Sequence, residues 1–165
     1  MTPEFLKSPS GAEPIIVEGL FKASAQRLFE AWTSPEDVKK WFGPGPGTLD
    51  EAEINLRVGG AWRFAYGVRD GQSDELSGVY EEISAPTLLV FSWVHTRTFD
   101  DGRPPIKTAA SKVTITFEDR DGGGFVRLVH EAIASEDGRM GVGSGWEGTF
   151  TRIADVFGRI GVLQA

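Results

Sequence analysis

The chain is 165 residues long, 40% apolar and 25% charged, which suits one ordinary globular domain whose core needs no covalent staples. A formal charge of -7 and a pI near 4.9 oppose nucleic acid as a partner, because affinity for phosphate backbones comes from lysine and arginine displacing counterions. The lack of cysteine excludes disulfides, thiolate chemistry and cysteine-dependent metal sites, and fits a reducing cytoplasm. No stretch is long and apolar enough to cross a bilayer, and residues 1–7 lack a basic segment followed by an apolar one. A cytoplasmic protein with no membrane partner is the expectation.

Residues 1–13 are rich in Pro, Ser and Gly without periodicity and read as a mobile tail or a cloning remnant, leaving 14–165 as one domain. Ile15-Ile16-Val17-Glu18-Gly19-Leu20-Phe21 has strand length and β-branched content; as an edge strand it offers a route to a homodimer. Ser24 is an N-cap for a helix over 25–32. Ser34-Pro35-Glu36-Asp37 starts a second, short helix with proline at its first position and acids where the dipole favours them. That helix runs through Val38, Trp41 and Phe42 and stops near Gly43-Pro44-Gly45-Pro46-Gly47.

From Leu49 to Ile133 strands alternate with turn chemistry at Gly59-Gly60, Asp70-Gly71, Ser84-Ala85-Pro86 and Asp121-Gly122-Gly123-Gly124, so neighbouring strands are antiparallel. The polar stretch between Trp93 and Ser111 is longer than a hairpin needs and reads as a flap or a disordered excursion, the latter preferred. Trp146, Phe150, Ile153, Phe157 and Ile160 follow increments of four, three, four and three, one stripe of a helix about four turns long. The glycines of Gly141-Val142-Gly143-Ser144-Gly145 read as a linker or helix entry before it, since no strand feeds into them as a phosphate loop requires.

Trp62, Phe64 and Tyr66 stand at every second position, as do Phe91 and Trp93, so a strand period places these aromatics on one side of a sheet. Together with Trp41, Phe42, Trp146 and Phe150 they either wall a cavity between sheet and closing helix or fill a core. Tyr66 and the indoles of Trp62 and Trp93 need hydrogen-bond partners when buried and are candidate ligand anchors. The chain has only two histidines, His95 and His130. His130 shares strand parity with Val126 and Leu128, whereas Glu131 shares it with Val129 and Ile133, so the adjacent pair cannot act as a dyad. A hydrogen-bonded structural role is expected for His130, and a place at the cavity mouth for His95. Two histidines without cysteine make no compact ligand set, so no metal or cofactor is expected. Glu53, Glu81 and Glu82 alternate as any half-solvated strand displays, and no catalytic residue is assigned.

The order strand, two helices, about six strands and a long helix resembles the α+β helix-grip fold of the START and Bet v 1-like superfamily, about seven antiparallel strands curved around the C-terminal helix. Residues 25–42 with Ser34-Pro35-Glu36 and Trp41-Phe42-Gly43-Pro44 are similar to the opening of the family named for the activator of Hsp90 ATPase homologue 1. Val58-Gly59-Gly60-Ala61-Trp62-Arg63-Phe64, Gly78-Val79-Tyr80-Glu81-Glu82-Ile83, residues 88–93, Val129-His130-Glu131, and Gly145-Trp146 with Phe150 resemble its later stations, covering nearly all of residues 15–162. The superfamily includes lipid and small-molecule carriers, polyketide cyclases, resistance proteins that bind a toxic natural product, and co-chaperone domains. The eukaryotic co-chaperones behind the family's name carry a separate N-terminal domain for which 165 residues leave no room, so Hsp90 stimulation is not expected. The leading expectation is a carrier or sequestering protein for a hydrophobic small molecule, with Trp41, Phe42, Trp62, Phe64, Tyr66, Phe91, Trp93, His95, His130, Trp146 and Phe150 as ligand-binding residues. A cyclase-type enzyme and a stress-related protein-interaction domain are the alternatives.

Overall fold

The computed structural model of the protein describes residues 6–42, 49–158 and 160. The chain begins with β1 (Leu6–Lys7) and β2 (Ile15–Phe21), followed by α1 (Ala25–Thr33) and α2 (Pro35–Trp41). Then come β3 (Glu51–Ile54), β4 (Ala61–Ala65), β5 (Gln72–Ser84), β6 (Leu88–Phe99), β7 (Ile106–Lys107), β8 (Ser111–Arg120) and β9 (Gly123–Glu131), and α3 (Glu136–Phe157) closes the domain. One nine-stranded sheet runs β1-β2-β9-β8-β6-β5-β4-β3, with β7 on the outer half of β6; every pairing is antiparallel. The two strands beyond the expected seven are the two-residue pieces β1 and β7.

Local chemistry explains the joints. Ser24 Oγ accepts from Arg27 N at 3.1 Å, and Asp119 Oδ1 of β8 accepts from Ala25 N at 2.9 Å, so the first turn of α1 is capped from two sides. α2 opens on Pro35 with Glu36 and Asp37 in its first turn and ends with Lys39 and Lys40 in its last, each charge matched to the helix dipole. It stops at Trp41; the glycine–proline run expected to stop it falls on residues 43–47, outside the described residues. Asp70-Gly71 and Asp121-Gly122 adopt positive φ at both positions, the two-residue turn whose twist matches flanking strands. A register shift between Tyr80 and Glu82 interrupts the ladder near the C-terminal end of β5.

Four segments depart from the sequence-based expectation. Within the supposed mobile tail, Leu6 and Lys7 pair with Glu18 and Val17, and Gly11 O accepts from Arg139 Nε at 2.7 Å; partners for the backbone, not composition, order it. The edge of β2 is therefore occupied: β1 covers Val17 and Glu18, while Lys22 N donates to Gly158 O at 2.9 Å and Ile160 N to Leu20 O at 3.0 Å. The route to a dimer through that edge is taken up within the chain. The excursion after Trp93 is a continuation of β6, because Val94 to Phe99 pair with β5, and Thr96 and Arg97 also with β7. Finally, Gly141, Gly143 and Gly145 lie inside α3, which starts at Glu136 under a Ser135 cap that accepts from Gly138 N at 3.0 Å and ends at Phe157, so Ile160 lies beyond it.

The core sits where α1, α2 and α3 cover one face of the sheet. Phe150 of α3 lies 5.9 Å from Phe21 and 6.3 Å from Trp32, Trp146 lies 5.1 Å from Trp93, and Phe29 meets Phe117 at 5.4 Å (ring centroids). Trp62 lies across from Gly78 and donates from its indole to Ser92 O at 3.2 Å, reaching over a residue that has no side chain. A Cβ at Gly78 would stand 1.9 Å from Ser92 O and 2.6 Å from Trp62 Nε1, whereas one at Gly141 of α3 meets nothing within 4 Å. Gly78→Ala is therefore expected to destabilise the domain by about 1–3 kcal/mol through overpacking. Gly141→Ala is expected to stabilise it by up to about 1 kcal/mol through helix propensity; urea unfolding of both variants beside the parent measures the contrast.

Candidate functional site

The inward face of the sheet changes character along its strands. On β6 the parity that carries Leu89, Phe91 and Trp93 continues through His95 and Arg97, and on β5 the parity that carries Tyr80 and Gly78 continues through Leu76, Asp74 and Gln72. β8 begins at Ser111, directly across from Trp93, so beyond that point β6 is flanked only by β5 and the short β7. Around the inner half of these strands the space is filled. Trp62, Phe64 and Phe91, with Trp32, Tyr80 and Leu89 around them, enclose a void of only about 20 Å³. Rings at 4.9 Å (Trp62 and Phe64), 5.4 Å (Trp62 and Phe91) and 4.9 Å (Phe42 and Phe64) leave no room for a ligand there.

Over the outer half the helix stands off, and a cleft of about 630 Å³ opens. Trp93, Trp146 and Phe42 form its inner end, which is also the roof of the small void. The sheet side carries Leu76, Gln72, Asp74, His95 and Arg97; the connection from β4 to β5 adds Tyr66, Gly67, Arg69 and Asp70. From α3 come Val142, Ser144, Gly145, Gly148, Thr149 and Arg152. The space exists partly because two of these are glycines: a Cβ at Gly145 would meet nothing within 4 Å.

The polar groups are arranged, not scattered. Asp74 pairs across the ladder with Arg97 and diagonally with His95: its Oδ1 accepts from Arg97 Nε at 2.9 Å and from His95 Nε2 at 2.7 Å. Because a carboxylate only accepts, Nε2 carries the proton in this pair. Burial pulls the Asp74 carboxyl upward, but the bonds from Arg97 and His95 outweigh it and hold the group below the ordinary carboxylate range. Tyr66 is pushed up by burial, and Arg152, within electrostatic reach of it, is pulled down by burial. Arg152 Nε donates to Trp41 O at 2.9 Å, tying the guanidinium to the end of α2.

The remaining expected site residues lie elsewhere. Trp41 is buried with its indole donating to Ala31 O at 3.2 Å, and Phe150 is fully buried against Phe21 and Trp32. Trp62 already has Ser92 O as partner, so its N–H is no free anchor. His130 is 0% exposed. Trp146 Nε1, a donor only, gives its proton to His130 Nδ1 at 3.0 Å; His130 Nε2 therefore carries the ring proton and donates to Ser111 Oγ at 2.7 Å, which donates in turn to Trp93 O at 3.4 Å. Both ring nitrogens are used in holding α3 to β8 and β9. Of the eleven residues expected to bind ligand, Phe42, Tyr66, Trp93, His95 and Trp146 line the cleft.

A family model described as activator of Hsp90 ATPase homolog 1-like protein matches residues 22–158. The chain belongs to this family. Among curated proteins none matches. Among solved structures, a protein from Rhodobacter sphaeroides is 20% identical with a TM-score of 0.70, covering 93% of this chain and 97% of its own. CalU16 from Micromonospora echinospora is 26% identical with a TM-score of 0.60, covering 92% and 80%. A protein from Chromobacterium violaceum is 22% identical with a TM-score of 0.70, covering 90% and 100%. They share the Bet v 1-like fold with this member of the activator of Hsp90 ATPase homolog 1-like family.

In this family member the sequence reading passed over Asp74, Arg97 and Arg152. The signal for the first two was available: the strand parity of Trp93 carried forward reaches His95 and Arg97, and that of Tyr80 carried back through Gly78 and Leu76 reaches Asp74. Arg152 lies two positions past Phe150 in a helix, off the apolar stripe, and only the structure turns it toward the cleft.

Burial pushes the His130 pKa down to about 4 from its ordinary 6.5. The unfolded chain then binds a proton that the folded chain refuses between these values, so stability is complete above pH 6.5 and falls as pH drops toward 4, by about 3 kcal/mol in all. Chemical unfolding at pH 7 and pH 4.5 is expected to show most of that loss in the parent. In His130→Gln, less stable at pH 7, the loss over the same window shrinks; Asp37 and Asp74, whose carboxyls lie below the ordinary range, titrate under it.

Proposed function

We propose that the protein binds a hydrophobic small molecule in the cleft between α3 and the outer halves of β5 and β6, acting as a carrier or sequestering protein. The observation that carries this reading is the cleft itself: about 630 Å³, with Phe42, Trp93, Trp146, Leu76 and Val142 as apolar wall and a few convergent polar groups. That combination of volume, apolar lining and sparse polar groups is what small-molecule sites have in common. Membership of a superfamily that includes small-molecule carriers supports it further. Phe42, Tyr66, Trp93, His95 and Trp146 are the ligand-contacting residues in this reading, while Trp41, Trp62, Phe64, Phe91, His130 and Phe150 hold the wall in place. A cytoplasmic location belongs to the same reading, supported by the absence of cysteine; among the described residues no helix is long and apolar enough to cross a membrane.

A second reading, a cyclase-type enzyme, is favoured by one observation: His95 and Asp74, bonded at 2.7 Å, lie in the cleft wall, and a carboxylate that fixes one imidazole nitrogen leaves the other to take a proton from a bound substrate. Turnover of polyketide-like substrates that is lost in His95→Gln would establish it, and its absence leaves the carrier reading in place.

The binding reading is tested by tryptophan fluorescence against a panel of hydrophobic compounds, since Trp93 and Trp146 face the cleft. At least one class is expected to change the emission saturably. A Cβ at Gly145 meets nothing within 4 Å, so Gly145→Leu is expected to extend into the cleft with the thermal midpoint held or raised while affinity falls by at least about tenfold, the equivalent of about 1.4 kcal/mol. Binding that is indifferent to Gly145→Leu would place the ligand elsewhere.

A further inference from the structure

The charges of the cleft do not cancel. Arg69, Arg97 and Arg152 face Asp70 and Asp74 there, a positive excess of one in a chain whose net charge is -7. Asp74 is occupied by Arg97 and His95, and Arg69 lies 3.9 Å from Asp50. Arg152 differs. Its Nε is spent on Trp41 O, and no carboxylate among the described residues forms an ion pair with it; Asp155, three residues further along the helix, acts on it only at longer range. The guanidinium lies over Gly148, where a Cβ would stand 3.1 Å from Nη1, so a glycine makes the room it occupies. Tyr66, half-buried, lines the same cleft within electrostatic reach of it. A half-buried guanidinium with no ion-pair partner among the described residues, in one cleft with a phenol and the apolar surfaces of Trp93, Trp146 and Phe42, is an arrangement that a single anionic group on an apolar body would complete.

We propose that the cleft takes an amphipathic carboxylate, its ring body against Trp93, Trp146 and Phe42 and its carboxylate on the Arg152 guanidinium beside the Tyr66 hydroxyl. This rests on the reading of the cleft as a binding site. Both groups donate, and the two Nη atoms of Arg152 form the planar fork that fits a carboxylate's two oxygens. Arg97 does not compete for this role, because Asp74 already holds it. Neutral molecules of the same shape lose the charge-assisted bonds and leave Arg152 desolvated without a partner.

The test is isothermal titration of the full chain with 2-naphthoate and with its neutral isostere 2-naphthamide. The parent is expected to bind the carboxylate about tenfold or more tightly than the amide, a difference that one charge-assisted bond supplies. Raising NaCl is expected to narrow that ratio, and Arg152→Met to bring it near one, with Arg152→Lys between, since lysine keeps the charge but not the fork. Equal binding of both probes by the parent, weakened alike by Gly145→Leu, overturns the carboxylate proposal and leaves the cleft reading standing. A preference that survives Arg152→Met overturns the assignment to Arg152. No binding of either probe by the parent overturns the cleft reading and this proposal together. Should Arg152→Met fail to fold, for want of its bond to Trp41, the salt series on the parent and Tyr66→Phe decide: a ratio that moves with neither overturns the proposal.

Discussion

The bond from the Trp146 indole to His130 is the constraint on which the rest of the domain depends. It fixes one point of the closing helix against β9, and through Ser111 and the Trp93 carbonyl it ties that point to β8 and β6 as well. Buried donors and acceptors that found no partner here would each cost about 1–3 kcal/mol, so the chain of bonds sets the helix's rotation as well as its position. With Trp146 seated on Trp93, the C-terminal half of α3 is pressed onto the sheet and its neighbours through Phe150 and Ile153, both buried. Before Trp146 the helix has no fully buried side chain among the described residues; Val142, partly buried, is its apolar contact with the core.

This asymmetry explains why the cleft and the core lie side by side. Behind the Trp93–Trp146 contact, rings from α1, α3, the residue after α2 and the sheet close to a void of about 20 Å³; ahead of it, glycines on the helix face polar residues on the strands across about 630 Å³. The change from Trp93 to His95 and Arg97 along one face of β6 coincides with the end of β8 at Ser111, so the sheet narrows where its inward face turns polar. A polar inward face is stable there because Asp74, His95 and Arg97 satisfy one another across the ladder.

Much of the fold was legible in the residues. Ser24, Pro35, Asp70-Gly71 and Asp121-Gly122 are local signals that depend on backbone geometry alone, and the stripe from Trp146 to Ile153 marks a helix face at any length. Segments ordered by distant partners were not legible. Leu6–Lys7 is a strand because Val17 and Glu18 lie beside it, and residues 94–99 continue β6 because β5 extends that far. The start of α3 was hidden by composition, since Gly141, Gly143 and Gly145 argue against a helix that Ser135 nonetheless caps. For the site, alternation separated inward from outward aromatics but carried no information on depth. Phe91 and Trp93 look alike in sequence, yet the one fills the core and the other faces the cleft.

The five glycines of α3 at positions 138, 141, 143, 145 and 148 have a price in conformational order. At about 0.8–1.0 kcal/mol each relative to alanine, the four that precede Trp146 subtract about 3–4 kcal/mol from the intrinsic stability of the helix's first half. That half is wound because its cap and its junction with Trp146 hold it at both ends. The helical wall of the cleft is thus also the stretch of regular backbone with the least helix-forming tendency of its own. Its shape is set from outside, by the Ser135 cap, the bonds from Arg139 to Gly11 O and Ile133 O, and the seat of Trp146 on Trp93.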